Sequence, residues 1–245
     1  MKKTLTVLVL LFFGFNLVQA QSYSPDRPGI GNGSFITPQG IFGFEAGVQF
    51  SNTDFNEQYD VGQLVLRYGI SEKLEFRALL GSYTSVDQEL LGGSNSYSGF
   101  QDMGLGFKYN LISNDGRSNL SALAEVTLPV GSDEFTSDET IPFIGLLADH
   151  SLNESLSISS NLGYSFEVGN VDDNLLFTLT PGFVITEKMN GYFGYAGNYY
   201  GNFEQHWVEG GITYGLDSGV QLDLNFGYDT ENEIAFIGIG FVQSF

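Results

Sequence analysis

Between Ile41 and Ser51 the chain alternates strictly. Phe42, Phe44, Ala46, Val48 and Phe50 fall on one side, and Gly43, Glu45, Gly47 and Gln49 on the other. A period of two with one apolar face and one small or polar face predicts a β-strand. The same pattern sets Leu64, Leu66, Tyr68 and Ile70 against Gln63, Val65, Arg67 and Gly69. After the turn at Ser71-Glu72-Lys73, Leu74, Phe76, Ala78 and Leu80 oppose Glu75, Arg77 and Gly81. Met103, Leu105, Phe107 and Tyr109 then oppose Asp102, Gly104, Gly106 and Lys108. Further strands are predicted over 118–129, 141–149, 156–166, 174–184, 191–199, 206–216, 219–229 and 234–245, which makes twelve.

The connectors differ in kind. "SEK", "SNDGR", "SLNE", "TEKMN" and "DS" are short and turn-like, whereas "NTDFNEQYD", "TSVDQELLGGSNSYSG" and "GSDEFTSDET" are longer. An even number of antiparallel strands, with short turns at one end and longer loops at the other, predicts a 12-stranded transmembrane β-barrel. No apolar run after residue 20 reaches the 18 residues of a spanning helix. A soluble sandwich or lipocalin-like barrel is the competing fold. The Gly, Ser, Asn and Gln recurring on the polar face suit a crowded lumen better. The final "FIGIGFVQSF" alternates up to Phe245. An open sheet edge is untenable in lipid, where unpaired backbone groups cost several kcal/mol each, so the last strand is expected to pair with the first. Its terminal aromatic matches the signal read by barrel-insertion machinery, although Gln243 departs from it.

Composition narrows the setting. Met1–Ala20 carries two lysines, an apolar run from Leu5 to Phe15 and a small-residue cleavage pattern, which predicts a secretory signal peptide cleaved near Ala20. Without Lys2 and Lys3, seven basic residues face 29 acidic ones, and the formal charge moves from -20 to -22. Nucleic acid is a poor partner for such a surface. Zero cysteines exclude disulfides and thiolate metal sites. Residues 21–39 are expected to form a periplasmic N-terminal segment and residues 40–245 the barrel.

Four stretches carry a family resemblance: Pro25–Ser51, "LRYGISEKLEFRALL" (Leu66–Leu80), "GFQDMGLGFKYNL" (Gly99–Leu111) and "LTPGFVITEKMNGYFGY" (Leu179–Tyr195). Together they resemble the small outer-membrane transporter family assigned to the meta-pathway of phenol degradation. The resemblance implies an outer-membrane barrel of a Gram-negative bacterium that passes small hydrophobic or aromatic molecules. It carries over no catalytic or binding residue.

The polar faces supply the candidate chemistry. Arg67, Arg77 and Lys108 fall on successive strands, with Glu45, Glu75, Asp102, Glu125, Asp149, Glu209 and Asp223 expected on the same interior. A hairpin centred on Glu72 sets Arg67 opposite Arg77, and a first loop centred on Asn56 sets Glu45 opposite Arg67. Adjacent arginines need intervening carboxylates, so Glu45, Arg67, Glu75 and Arg77 are expected to interleave near the periplasmic end. Such a cluster acts either as a selectivity constriction or as a structural plug of paired charges. Enzyme chemistry is not expected. His150 and His206 fall at opposite ends of the barrel, and no serine accompanies His206. "GIGNGS" and "GLGFKYN" open no helix and read as turn or lumen glycines rather than phosphate loops. Asp133, Glu134, Asp138 and Glu139 lack calcium-loop spacing and read as a solvated loop, with cation bridging to lipopolysaccharide the weaker alternative. No cofactor is indicated. Tyr68, Tyr109, Tyr192 and Tyr214 are expected in a periplasmic aromatic girdle. The expected function is passive passage of a small molecule, and the alternative is a non-transporting structural or surface-binding barrel.

Overall fold

A computed structural model describes residues 23–90, 93–114, 117–216 and 219–245. The expected signal peptide and its cleavage point lie outside them. The strands are β1 (Phe42–Asn52), β2 (Asn56–Gly69), β3 (Leu74–Leu90), β4 (Gly93–Phe100), β5 (Met103–Asn114), β6 (Ser118–Leu128) and β7 (Ile141–Ser151). They continue as β8 (Leu156–Ser165), β9 (Asn174–Thr186), β10 (Met189–Tyr200), β11 (Phe203–Gly215), β12 (Val220–Asp229) and β13 (Ile234–Ser244). All neighbours pair antiparallel. β3 takes β5 along its first part and β4 along its second, so β4 and β5 are two halves of one stave broken at Gln101–Asp102. The closed barrel therefore has twelve staves.

β1 pairs with β13 from Gly43↔Ser244 to Asn52↔Ala235. The last rung is reciprocal: Phe42 N–H donates to Phe245 O at 3.1 Å and Phe245 N–H to Phe42 O at 2.8 Å. No edge is left along this seam, as a spanning sheet requires.

The radial order is the reverse of a soluble core. In β5, Met103, Leu105, Phe107 and Tyr109 point out while Gly104, Gly106, Lys108 and Asn110 are buried within, and β12 repeats the pattern with Asp223, Asn225 and Asp229 inside. The largest fully buried side chains include Arg67, Arg77, Lys108, Glu45, Glu75 and Glu209. An apolar exterior around a charged interior is solvated only by a bilayer.

Three local expectations change. The first predicted loop is mostly strand: β1 and β2 continue upward to a turn at residues 53–55. The second is the β3–β4 hairpin, in which Tyr83↔Phe100 through Leu90↔Gly93 are paired. Both regions still alternate well enough to extend an existing ladder, at little further entropic cost. Tyr68, Tyr109 and Tyr214 face outward, but Tyr192 does not. Phe193 takes the outward position, and Tyr192 turns into the lumen beside its register partners Gly182 and Gly211.

At the short-turn end the chain before β1 is clamped to β2. Gly40 N–H donates to Gly69 O (2.8 Å), Gly69 N–H to Ile41 O (3.1 Å) and Ile41 N–H to Pro38 O (3.0 Å). Orientation is testable by labelling. Cysteine at Ser94 in the β3–β4 hairpin should react with an impermeant thiol reagent on intact cells, and cysteine at Asn153 in a short turn should not. Labelling at Asn153 alone would invert the barrel.

Candidate functional site: a lumen occupied by the N-terminal segment

Residues 23–38 do not extend away from the barrel. They fold into its lumen, although the sequence set Gln21–Gln39 in the periplasm. Pro25, Pro28 and Pro38, with Gly29, Gly31 and Gly33, keep this stretch out of helix and ladder, so its amides need other acceptors. The wall supplies them. Glu45 accepts from Asp26 N–H (3.2 Å) and Arg27 N–H (3.1 Å), and both Glu209 oxygens lie within 3.2 Å of Ile30 N. Asn161 accepts from Asn32 N–H, Asp149 from Ser34 N–H and Glu75 from Thr37 N–H, each at 2.6 Å.

Wall glycines make the room. A Cβ at Gly43 would strike the Tyr23 ring, and one at Gly240 would strike the Arg27 guanidinium. At Gly47 it would lie 2.5 Å from Arg27 Nη1. Arg27 fits against this smooth wall and pairs with Asp223 at 3.2 Å and with Gln63 Oε1 at 2.9 Å.

The charged cluster is centred on a residue of the segment. Asp26 meets Lys108 at 2.8 Å, Arg77 at 2.9 Å and Arg67 at 3.5 Å, cations from three different strands. Arg67 also pairs with Glu75 (2.8 Å) and Glu45 (3.0 Å), and Arg77 with Glu125 (2.7 Å). Arg67 stands directly opposite Arg77. Glu45 stands opposite Val65 rather than Arg67, because the hairpin turns at residues 53–55, ahead of Asn56, and the bulge between Glu45 and Gly47, with positive φ at Gly62 and Gln63, brings the register back by only one residue. The contact survives along the diagonal.

Of the ten wall residues singled out from sequence, nine touch the segment or its ion pairs. Asp102 does not. It sits at the break between β4 and β5, where it accepts from Gly131 N–H, Ser137 N–H and Ser137 Oγ, all at 2.9 Å. Burial alone would raise its pKa, but these donors hold the carboxyl below its usual range. Its role is to fasten the loop over 129–140. Tyr23, Asp26 and Arg27 escaped the sequence reading. Their signal was a charged pair framed by prolines in "SPDRPG", which carries no period.

Two cavities flank the segment. One of about 350 Å³ lies toward the short turns, against His150, Ser157, Asn190 and Thr213. The other, of about 360 Å³, lies toward the long loops, against Gln49, Asp60, Ser82 and Gln101. Asp26, Arg27, Gly29, Gly31 and Asn32 border both, so the segment is the partition between them. His150 donates to or accepts from Ser118 Oγ (2.8 Å), and His206 bonds Tyr195 on the barrel exterior at the other end (2.6 Å).

A model of the family described as "Putative MetA-pathway of phenol degradation" matches residues 25–245. Among solved structures, an outer membrane channel from Pseudomonas putida F1 is similar with TM-score 0.70 and 17% identity, covering 89% of this chain and 99% of that one. KdgM porin gives 0.58 at 9% identity over 82% and 99%. NanC porin gives 0.59 at 9% over 81% and 98%. No curated protein sequence matches significantly. At these identities the likeness to solved structures is one of fold.

Proposed function

The chain belongs to the phenol-degradation MetA-pathway family, and on that premise we propose that it is a passive outer-membrane channel for a small molecule, held closed by its own N-terminal segment. The observation that carries this reading is the partition. A barrel built only for structure has no need of a cavity on each side of a removable segment, whereas a channel does. The family description favours an aromatic or hydrophobic solute, and the solved relative from Pseudomonas putida F1 is itself a channel. In this reading the segment enters from the periplasm and the long loops face outward. Export uses a signal peptide cleaved near Ala20. The strand ending at Phe245 is read by insertion machinery, and lipid and lipopolysaccharide cover the outer wall. Glu45, Arg67, Glu75, Arg77, Lys108 and Glu125 form the seat on which the segment closes.

A disulfide lock tests the gate. The chain has no cysteine, and a Cβ at Gly31 lies 2.9 Å from Thr178 Oγ1, within reach of the Cβ spacing of about 3.5–4.5 Å that a disulfide uses. Gly31→Cys with Thr178→Cys should stop uptake of small aromatics into proteoliposomes when oxidised and restore it when reduced. Equal uptake in both states would refute the gate. Absence of uptake in both, and in the unmodified barrel, would favour the structural alternative.

A further inference from the structure

The geometry points to a binding site for a small organic cation in the cavity on the long-loop side of the segment. This inference deepens the channel reading and rests on it for the solute's route. The binding step itself stands on this cavity alone.

The first observation is Asp60. Its side chain is buried at 4% exposure and lines the cavity. Thr84 Oγ1 (2.6 Å), Gln58 Nε2 (2.9 Å) and Gln101 Nε2 (3.4 Å) donate to it. All are neutral, and no Lys, Arg or His among the described residues reaches it. The other buried lumen carboxylates bond a cation or the segment's amides, apart from Asp229 at the far rim. A buried charge without a partner is costly, so this one is suited to receive a partner that arrives with the solute.

The second observation is independent. Asn225 is 6% exposed and lines the same cavity, and its side-chain oxygen has no hydrogen-bond partner. A buried unsatisfied acceptor calls for a donor. The strand registers connect the two. Asp60 pairs with Gln49, Gln49 with Gly238, and Gly238 with Asn225, so these positions form one row across β2, β1, β13 and β12. Asp60 at one end of the row suits an ammonium head, Leu64 and Leu79 on the same cavity wall an apolar body, and the Asn225 oxygen, three strand spacings or about 14 Å along the wall, a second donor at the far end of the solute. The two guanidiniums that border the cavity are already paired, Arg27 with Asp223 and Arg77 with Asp26 and Glu125.

The approach favours the same class. Every described lysine or arginine outside the lumen, namely Lys73, Arg117 and Lys188, belongs to the short-turn end. Among the described residues, the titratable side chains of the long-loop end are carboxylates and tyrosines, with His206 on the outer face the one exception. Charge of one sign around a low-dielectric cleft concentrates counter-ions there.

Calorimetry on the purified full barrel, with benzylamine, benzyl alcohol and benzoate as probes of one size, decides the matter at low salt. Benzylamine should bind about tenfold tighter than either. Asp60→Asn should remove that preference while leaving benzyl alcohol binding unchanged, with heat-modifiable mobility confirming a folded barrel. Asn225→Leu should leave benzylamine binding unchanged and weaken 4-hydroxybenzylamine, whose phenol supplies a second donor at the other end of the ring. Benzoate binding as well as benzylamine, benzylamine binding unchanged in Asp60→Asn, or no binding of benzylamine would each overturn the inference. Aromatic uptake without benzylamine binding would leave the channel reading intact. Benzylamine binding without any uptake would sink the channel reading and leave the site standing.

Discussion

A barrel lacking residues 23–38 will give conductance steps in planar bilayers for far more of the recording than the intact chain does. The segment is what separates the two cavities, and no other described part of the chain crosses the lumen at that level. Its removal floods the seat with water. Lys108 then loses Asp26, its ion-pair partner at 2.8 Å, while Arg67 keeps Glu45 and Glu75, and Arg77 keeps Glu125. Breaking a buried pair costs roughly 3–5 kcal/mol, less where water can replace the lost partner. The deletion variant should therefore melt earlier yet remain a barrel, because the closed ladder does not involve residues 23–38. A variant that assembles, melts earlier and still shows no steps would mean that closure lies elsewhere, in the loops.

Changing Ile239 to Arg will block assembly or leave a barrel that unfolds well below the parent. Ile239 points into the bilayer at 59% exposure, in one row with Ile237 and Phe241, and its register partners are Val48 and Leu224. Arg at the midplane of a barrel costs about 2–4 kcal/mol, a large share of a typical stability of roughly 5–15 kcal/mol. The strand is also the closing one. Deleting Phe245 should act on the same seam by removing both bonds to Phe42 and the ring contact at 6.4 Å. Heat-modifiable mobility of the membrane fraction reads the outcome. Normal barrel yield in both variants would show that the seam tolerates what its geometry says it should not.

The twelve staves were legible because each buries one face in lipid and one in the lumen, which writes a period of two into β5 and β12 without interruption. Arg67 opposite Arg77 followed from a short turn, where loop length alone sets the register. The longer hairpin between β1 and β2 defeated the same reasoning, since its strands run on to a turn at residues 53–55, ahead of the loop centre expected at Asn56, and the bulge at Gly62 and Gln63 brings the register back by only one residue. Tyr192 was misassigned because neighbouring Phe193 serves either face equally well by composition. Asp26 at the centre of the cluster was beyond reach for a different reason. A segment without period or ladder leaves no trace of where it lies, and only the wall glycines at 43, 47 and 240 hint that something must fit against them.

The clamp at Gly40, Ile41 and Gly69 fixes the root of the segment to the rim of its own lumen. A blocker joined this way meets its seat at an effective concentration set by a short tether, on the order of millimolar, whatever the abundance of the protein in the membrane. Reclosure is then a unimolecular event that dilution cannot slow. In the proposed gate each molecule keeps its own time, and a cell can raise or lower the number of such barrels without changing the fraction of time that any one of them stands open.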